Sequence, residues 1–123
     1  IYLYRNKHLI QLTTDHSLQN QLIYQGKLTK EDFSLPKWKN VITRAIGTAQ
    51  SVQPDFHSIL MQPDDTFLLC TDGLSNYISH NDLEKHLHNS NSIEQLGKLL
   101  VNQAKLNGGR DNITLMIQKI LSV

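Results

Sequence analysis

Two acidic motifs carry most of the chemistry this sequence can offer, Asp72-Gly73 and Arg110-Asp111-Asn112. The first directly follows the apolar run Phe67-Leu68-Leu69-Cys70-Thr71, and the second precedes Ile113, Leu115, Ile117 and Ile120, which read as a strand. Gly73 can take a positive φ where the chain turns away from its strand. An aspartate ending one strand and an aspartate starting another reach the same rim of a sheet only if those strands are antiparallel. Carboxylates brought together without a cation repel each other, so a hard divalent ion is their natural neutraliser. Oxygen ligands alone favour Mg²⁺ or Mn²⁺ over zinc. Asp-Gly and Asp-Asn are also ordinary turn formers, and on spacing alone either aspartate could simply bond its own backbone.

The remaining reactive side chains give weaker signals. His86 and His88 lie two apart on a helical stretch and point to different faces, so they cannot share a metal. His8, His16, His57 and His80 are isolated and suit surface or hydrogen-bonded roles. Cys70 sits inside an apolar strand, where it reads as a small packed hydrophobe. No nucleophile elbow and no phosphate-binding Gly-x-x-x-x-Gly-Lys loop occurs. No side chain here is assigned as a catalytic acid, base or nucleophile, and none as a cofactor ligand beyond the two aspartates.

The elements that must position these aspartates follow from periodicity and punctuation. Residues 1–4 and 8–13 are apolar and β-branched around Arg5-Asn6-Lys7, a hairpin pattern. Leu18, Leu22 and Ile23 have helical spacing over 17–24, with Gly26 placed to end that helix. A short helical turn is expected from Thr29, a loop over 34–40 around Pro36 and Trp38, and a strand over 41–46. Two further strands are expected at 56–61 and 66–71, joined by the Pro63-Asp64-Asp65 turn. The second should be buried on both faces, because its apolar residues are consecutive. Ser79 with Asp82, and Ser92 with Gln95, read as caps of two more helices. In the second of these Ile93, Leu96, Leu99, Leu100 and Ala104 form one apolar face, and Asn107-Gly108-Gly109 stops it. The result is an α+β domain of about six strands and three helices, its sheet antiparallel because most connections are too short for a crossover helix.

Composition narrows the class. A chain of 123 residues that is 39% hydrophobic can bury one modest core. Twelve Lys plus Arg against eleven Asp plus Glu, with no basic stripe, argue against a nucleic-acid or acidic-membrane binder. The longest uninterrupted apolar runs, such as residues 67–70, fall far short of the ~20 residues of a membrane span. One cysteine and no signal-peptide pattern make a reducing, cytoplasmic setting the expectation. The chain opens on Ile1 inside a strand-like pattern, which reads as a piece of a longer protein.

Four blocks then stand together: Leu12-Thr13-Thr14-Asp15-His16-Ser17, Thr43-Arg44-Ala45-Ile46-Gly47, Phe67-Leu68-Leu69-Cys70-Thr71-Asp72-Gly73-Leu74-Ser75 and Gly109-Arg110-Asp111-Asn112-Ile113-Thr114. In this order they resemble the metal-dependent serine/threonine protein phosphatases of type 2C (the PPM family), in particular the bacterial branch. The resemblance implies that residues 1–123 are the C-terminal part of one catalytic domain, an α-β-β-α sandwich of antiparallel sheets flanked by helices. It implies hydrolysis of phosphoserine and phosphothreonine in proteins, with two or three Mn²⁺ or Mg²⁺ ions in the complete domain. Asp72 and Asp111 match the family's metal-ligand positions, and residues of about 17–42 match its flap, which influences substrate access.

The family's Asp-Gly-x-Gly-Gly block, its phosphate-binding arginine and the Gly-Asp-Ser-Arg block have no counterpart in this chain. It is therefore expected to be nearly inactive alone, and to rest its uncovered sheet on the missing N-terminal half or on a second copy. Phosphoprotein substrates and a serine/threonine kinase as counterpart are implied as partners. The alternative is a non-catalytic, phosphatase-like regulatory or binding module.

Overall fold

Asn6 and Lys7, both at positive φ (53° and 66°), make the two-residue turn that lets Arg5 pair with His8. In the computed structural model, which describes residues 1–29 and 41–122, this turn joins β1 (Tyr2–Arg5) to β2 (His8–Gln11). With β3 (Thr66–Cys70) and β4 (Leu115–Lys119) they form a four-stranded sheet of order β2-β1-β3-β4, antiparallel throughout. The helices that complete this unit are α2 (Asp72–Ser75), α3 (His80–Asn89) and α4 (Ile93–Leu106), making the fold α+β. The chain divides into two compact units, Ile1–Thr13 with Ser58–Val123, and Thr14–His57.

In the first unit, Tyr2, Leu9 and Leu68 on one sheet face pack with Leu74, Ile78, Leu83, Leu87, Leu96, Leu100 and Ala104 from the helices. Ser79 and Ser92 cap α3 and α4 by accepting the N–H groups of Asp82 and Gln95, as their sequence pattern requires. Burial is narrower than expected. On α4 only Leu96, Leu100 and Ala104 are buried, while Ile93 and Leu99 stay exposed. On β3 Leu68, on the face that the helices cover, is fully buried, and Phe67 and Leu69 are half-buried.

The free edge of β2 is tied to α3. The Leu9 N–H donates to Glu84 Oε2 at 2.6 Å, and the Leu9 carbonyl accepts from His80 Nε2 at 3.0 Å. One helical turn further on, His88 Nδ1 meets the Tyr4 hydroxyl at 2.8 Å. Burial and the nearby Glu84 raise the pKa of Tyr4.

The second unit contains α1 (Leu18–Tyr24), capped by Ser17 and followed by Gly26 at φ 69°. Two expected strands do not form. Residues 41–46 contribute a single bridge, Ser17 to Ile42, and residues 56–61 are irregular. Ile46 and Phe56 are 93% and 90% exposed. Branched and aromatic residues favour strands only where a half-buried pleated surface receives them, and these residues have none. The expected helical turn after Thr29, the loop over 34–40 with Trp38, and the middle of the flap-like stretch lie outside the described residues. No helix among the described residues is long and apolar enough to cross a membrane.

Candidate metal centre

The last residue of β3, Cys70, pairs with the first of β4, Leu115, so the chain leaves β3 where it enters β4. Asp72 and Asp111 therefore stand at the same rim, and both are exposed. Gly73 measures how closely the two loops approach. A Cβ at that position would lie 2.2 Å from the Asn112 carbonyl oxygen and 3.4 Å from the Asp111 Cβ. The positive φ open to a glycine is not used here: Gly73 is helical and buried within α2, and what it supplies is space.

Neither carboxylate is paired with a cation among the described residues. Asp72 Oδ2 has only the Asn76 side-chain amide, at 3.5 Å, and Asp111 Oδ1 accepts its neighbour's N–H, Asn112, at 2.7 Å. The turn-forming role open to Asp111 is thus real, and it occupies one lone pair of one oxygen. Among the described residues no Lys, Arg or His forms an ion pair with either aspartate. Nor do they contain a group of three or more His, Cys, Asp or Glu side chains able to hold a metal ion. Two exposed carboxylates with lone pairs to spare fit one hard divalent cation whose other positions are filled by water.

A second polar cluster lies within the unit Thr14–His57, where sequence reasoning treated His16 as isolated. His16 Nε2 meets Asp55 Oδ2 at 2.6 Å, and Arg44 Nη1 donates to Asp55 Oδ1 at 2.8 Å and to the Gln53 carbonyl at 2.9 Å. The hydrogen bond from His16 first, and that from Arg44 second, hold the Asp55 carboxyl down to about 2. The cluster borders a cleft of about 650 Å³ that Asn20, Tyr24 and Thr43 also line. Spacing gives no hint of this contact, since the partners are 39 and 11 positions apart. The only signal was that His16 and Arg44 each fall in one of the four sequence blocks.

No protein-family model matches the chain. It is 37% identical over 116 residues to the serine/threonine phosphatase stp of Listeria welshimeri, a match that covers 94% of this chain and 46% of that protein. It superposes on the serine/threonine phosphatase of S. agalactiae with a TM-score of 0.90 and 33% identity, over 98% of this chain and 50% of the other. A third relative is the catalytic domain of the phosphatase PstP, solved in complex with two manganese ions. It gives a TM-score of 0.83 and 28% identity over 98% of this chain and 49% of the other. The chain spans about half the length of the proteins it matches.

Proposed function

We propose, since the chain belongs to the bacterial PP2C-type serine/threonine phosphatases and corresponds to their C-terminal part, that Asp72 and Asp111 are carboxylate ligands of a phosphatase metal centre. The activity is metal-dependent hydrolysis of phosphoserine and phosphothreonine in proteins once the domain is complete. The observation that carries this reading is the contact between the two loops at Gly73, which leaves at one rim two carboxylates that no cation among the described residues pairs.

The chemistry that Mn²⁺ or Mg²⁺ supplies in such a centre is activation of a water for attack on phosphorus and neutralisation of the phosphoryl oxygens. Asp72 and Asp111 bind and orient from the rim, and they have no proton to donate in their charged form. Two carboxylates cannot hold two ions about 3.5 to 4 Å apart, so this chain needs the remaining ligands of the domain for turnover. Residues of about 17–42 serve in this reading as a flap-like segment that governs substrate access, a role supported by the polar cleft bordered by Arg44 and Asp55. Phosphoproteins are then the substrates, a serine/threonine kinase the counterpart, and the cytoplasm the setting.

A p-nitrophenyl phosphate assay in millimolar Mn²⁺ tests the proposal. The 123-residue chain should be nearly inactive, and a complete domain carrying it should turn over and lose that turnover with Asp111→Ala. A complete domain that is indifferent to Asp111→Ala removes the reading.

A further inference from the structure

A strand that turns directly into a helix must divert a carbonyl from its ladder, because the first turn of the helix needs that acceptor. In this chain the diversion occurs at Thr71, between Cys70 of β3 and Asp72 of α2. The Thr71 N–H still donates across to the Thr114 carbonyl at 3.0 Å, continuing the ladder beyond Cys70 and Leu115. Its own carbonyl has left the ladder and accepts the Leu74 N–H at 3.0 Å. The Thr114 N–H donates instead to the Thr71 hydroxyl, 3.1 Å away. That hydroxyl also donates to the Asn112 carbonyl at 3.1 Å. Although Thr71 is the N-cap of α2, its side chain makes no capping bond to the helix.

We propose that Thr71 is a positioning residue for the cation centre of Asp72 and Asp111, an inference that rests on the metal reading of that pair. Thr71 immediately precedes one carboxylate, and its acceptor Asn112 immediately follows the other. One hydroxyl thus fixes the register between the two ligand loops, accepting from one main-chain group of the β4 side and donating to another. Serine keeps both bonds. Valine keeps the shape of threonine and makes neither, and the loops at Gly73 have no slack in which to find a new arrangement.

The test is an Mn²⁺ titration of the ¹⁵N-labelled chain well below its unfolding temperature, read as paramagnetic loss of the amide signals around Asp72 and Asp111. Groups that hold metal ligands in place commonly change affinity by about 10- to 100-fold when removed, so Thr71→Val should weaken Mn²⁺ binding about tenfold or more, with circular dichroism unchanged. Thr71→Ser should bind as the parent does. If Thr71→Val does not fold, Thr71→Ala, which removes the hydroxyl without placing a methyl group in its stead, takes the same measurement. Asp111→Asn checks the underlying reading in parallel. Weaker Mn²⁺ binding with Asp111→Asn but parental binding with the hydroxyl-free variants overturns the positioning role and leaves the metal reading standing. No change with Asp111→Asn overturns both.

Discussion

Strand β3 has an aspartate just before it and another just after it. Asp65 is 1% exposed, and both of its oxygens are engaged. Arg5 donates through Nε to Oδ1 and through Nη2 to Oδ2, each at 2.7 Å, and the Gln62 N–H adds a bond to Oδ2 at 2.8 Å. The fork from Arg5, helped by the Gln62 N–H, holds this carboxyl below its ordinary range. The same guanidinium reaches the Leu60 carbonyl at 2.8 Å, so the irregular segment ahead of β3 is pinned to the end of β1. Asp72, at the other end, is exposed and has, among the described residues, one long amide contact and no ion pair. A carboxylate whose charge is matched from within the chain holds the fold together. One that has no ion pair among the described residues, beside a second carboxylate, does not serve the fold in that way.

The largest effect that follows is on stability. Removing a partner from a part-buried ion pair strands the other group, and Asp65→Ala also frees the Gln62 N–H, so it should cost about 2 kcal/mol in a urea or thermal melt. A loss below about 1 kcal/mol would show that the Arg5 fork is ordinary surface pairing.

Asp55 offers an intermediate case, an exposed carboxylate matched by His16 and Arg44. Its pKa of about 2 in the folded chain lies below its ordinary 3.8. A depressed carboxyl contributes stability that is present above the unfolded pKa and is lost as pH falls through the folded one, so the window runs from about pH 4 down to about 2. A ¹³C carboxyl titration should place Asp55 near 2 and return it toward 3.8 in His16→Ala, with a smaller return in Arg44→Ala. An unmoved midpoint in both variants breaks the cluster.

The smallest effect belongs to the unmatched site. Asp72→Asn in metal-free buffer should change stability by less than about 0.5 kcal/mol, the range of surface substitutions without special partners. A loss approaching that of Asp65→Ala would erase the distinction between the two ends of β3.

Much of this contrast was hidden in the sequence for a physical reason. Asp72 and Asp111 could be brought to one rim because consecutive apolar residues mark β3, alternation marks β4, and short connections favour antiparallel pairing. Helices α3 and α4 were legible because Ser79 and Ser92 act on neighbours three residues away, and α1 because Leu18, Leu22 and Ile23 keep helical spacing ahead of Gly26. Asp65 looked like one more turn residue after Pro63, and its partner Arg5 is 60 positions distant. Only the folded chain makes that pair, and only it makes His16 with Asp55. The four-residue α2 is shorter than any periodicity can reveal, so Gly73 was assigned a backbone freedom it does not use. Residues 41–46 and 56–61 erred the other way, because propensity cannot supply the neighbouring strand that a strand requires.

The bonds that Glu84 and His80 make to the main chain of Leu9 also bear on how this sheet can grow. An exposed edge strand is a template on which another polypeptide can continue the ladder, and proteins that leave such templates open risk indefinite association. In the middle of β2 the outward-facing main-chain groups of Leu9, which would help to template a next strand, are already spent on α3. Lateral extension of the sheet on the β2 side would have to displace these two bonds. The β2 edge is blocked at Leu9, whereas the other edge strand, β4, begins at the residue that pairs with Cys70, just before Thr71 and Asp72.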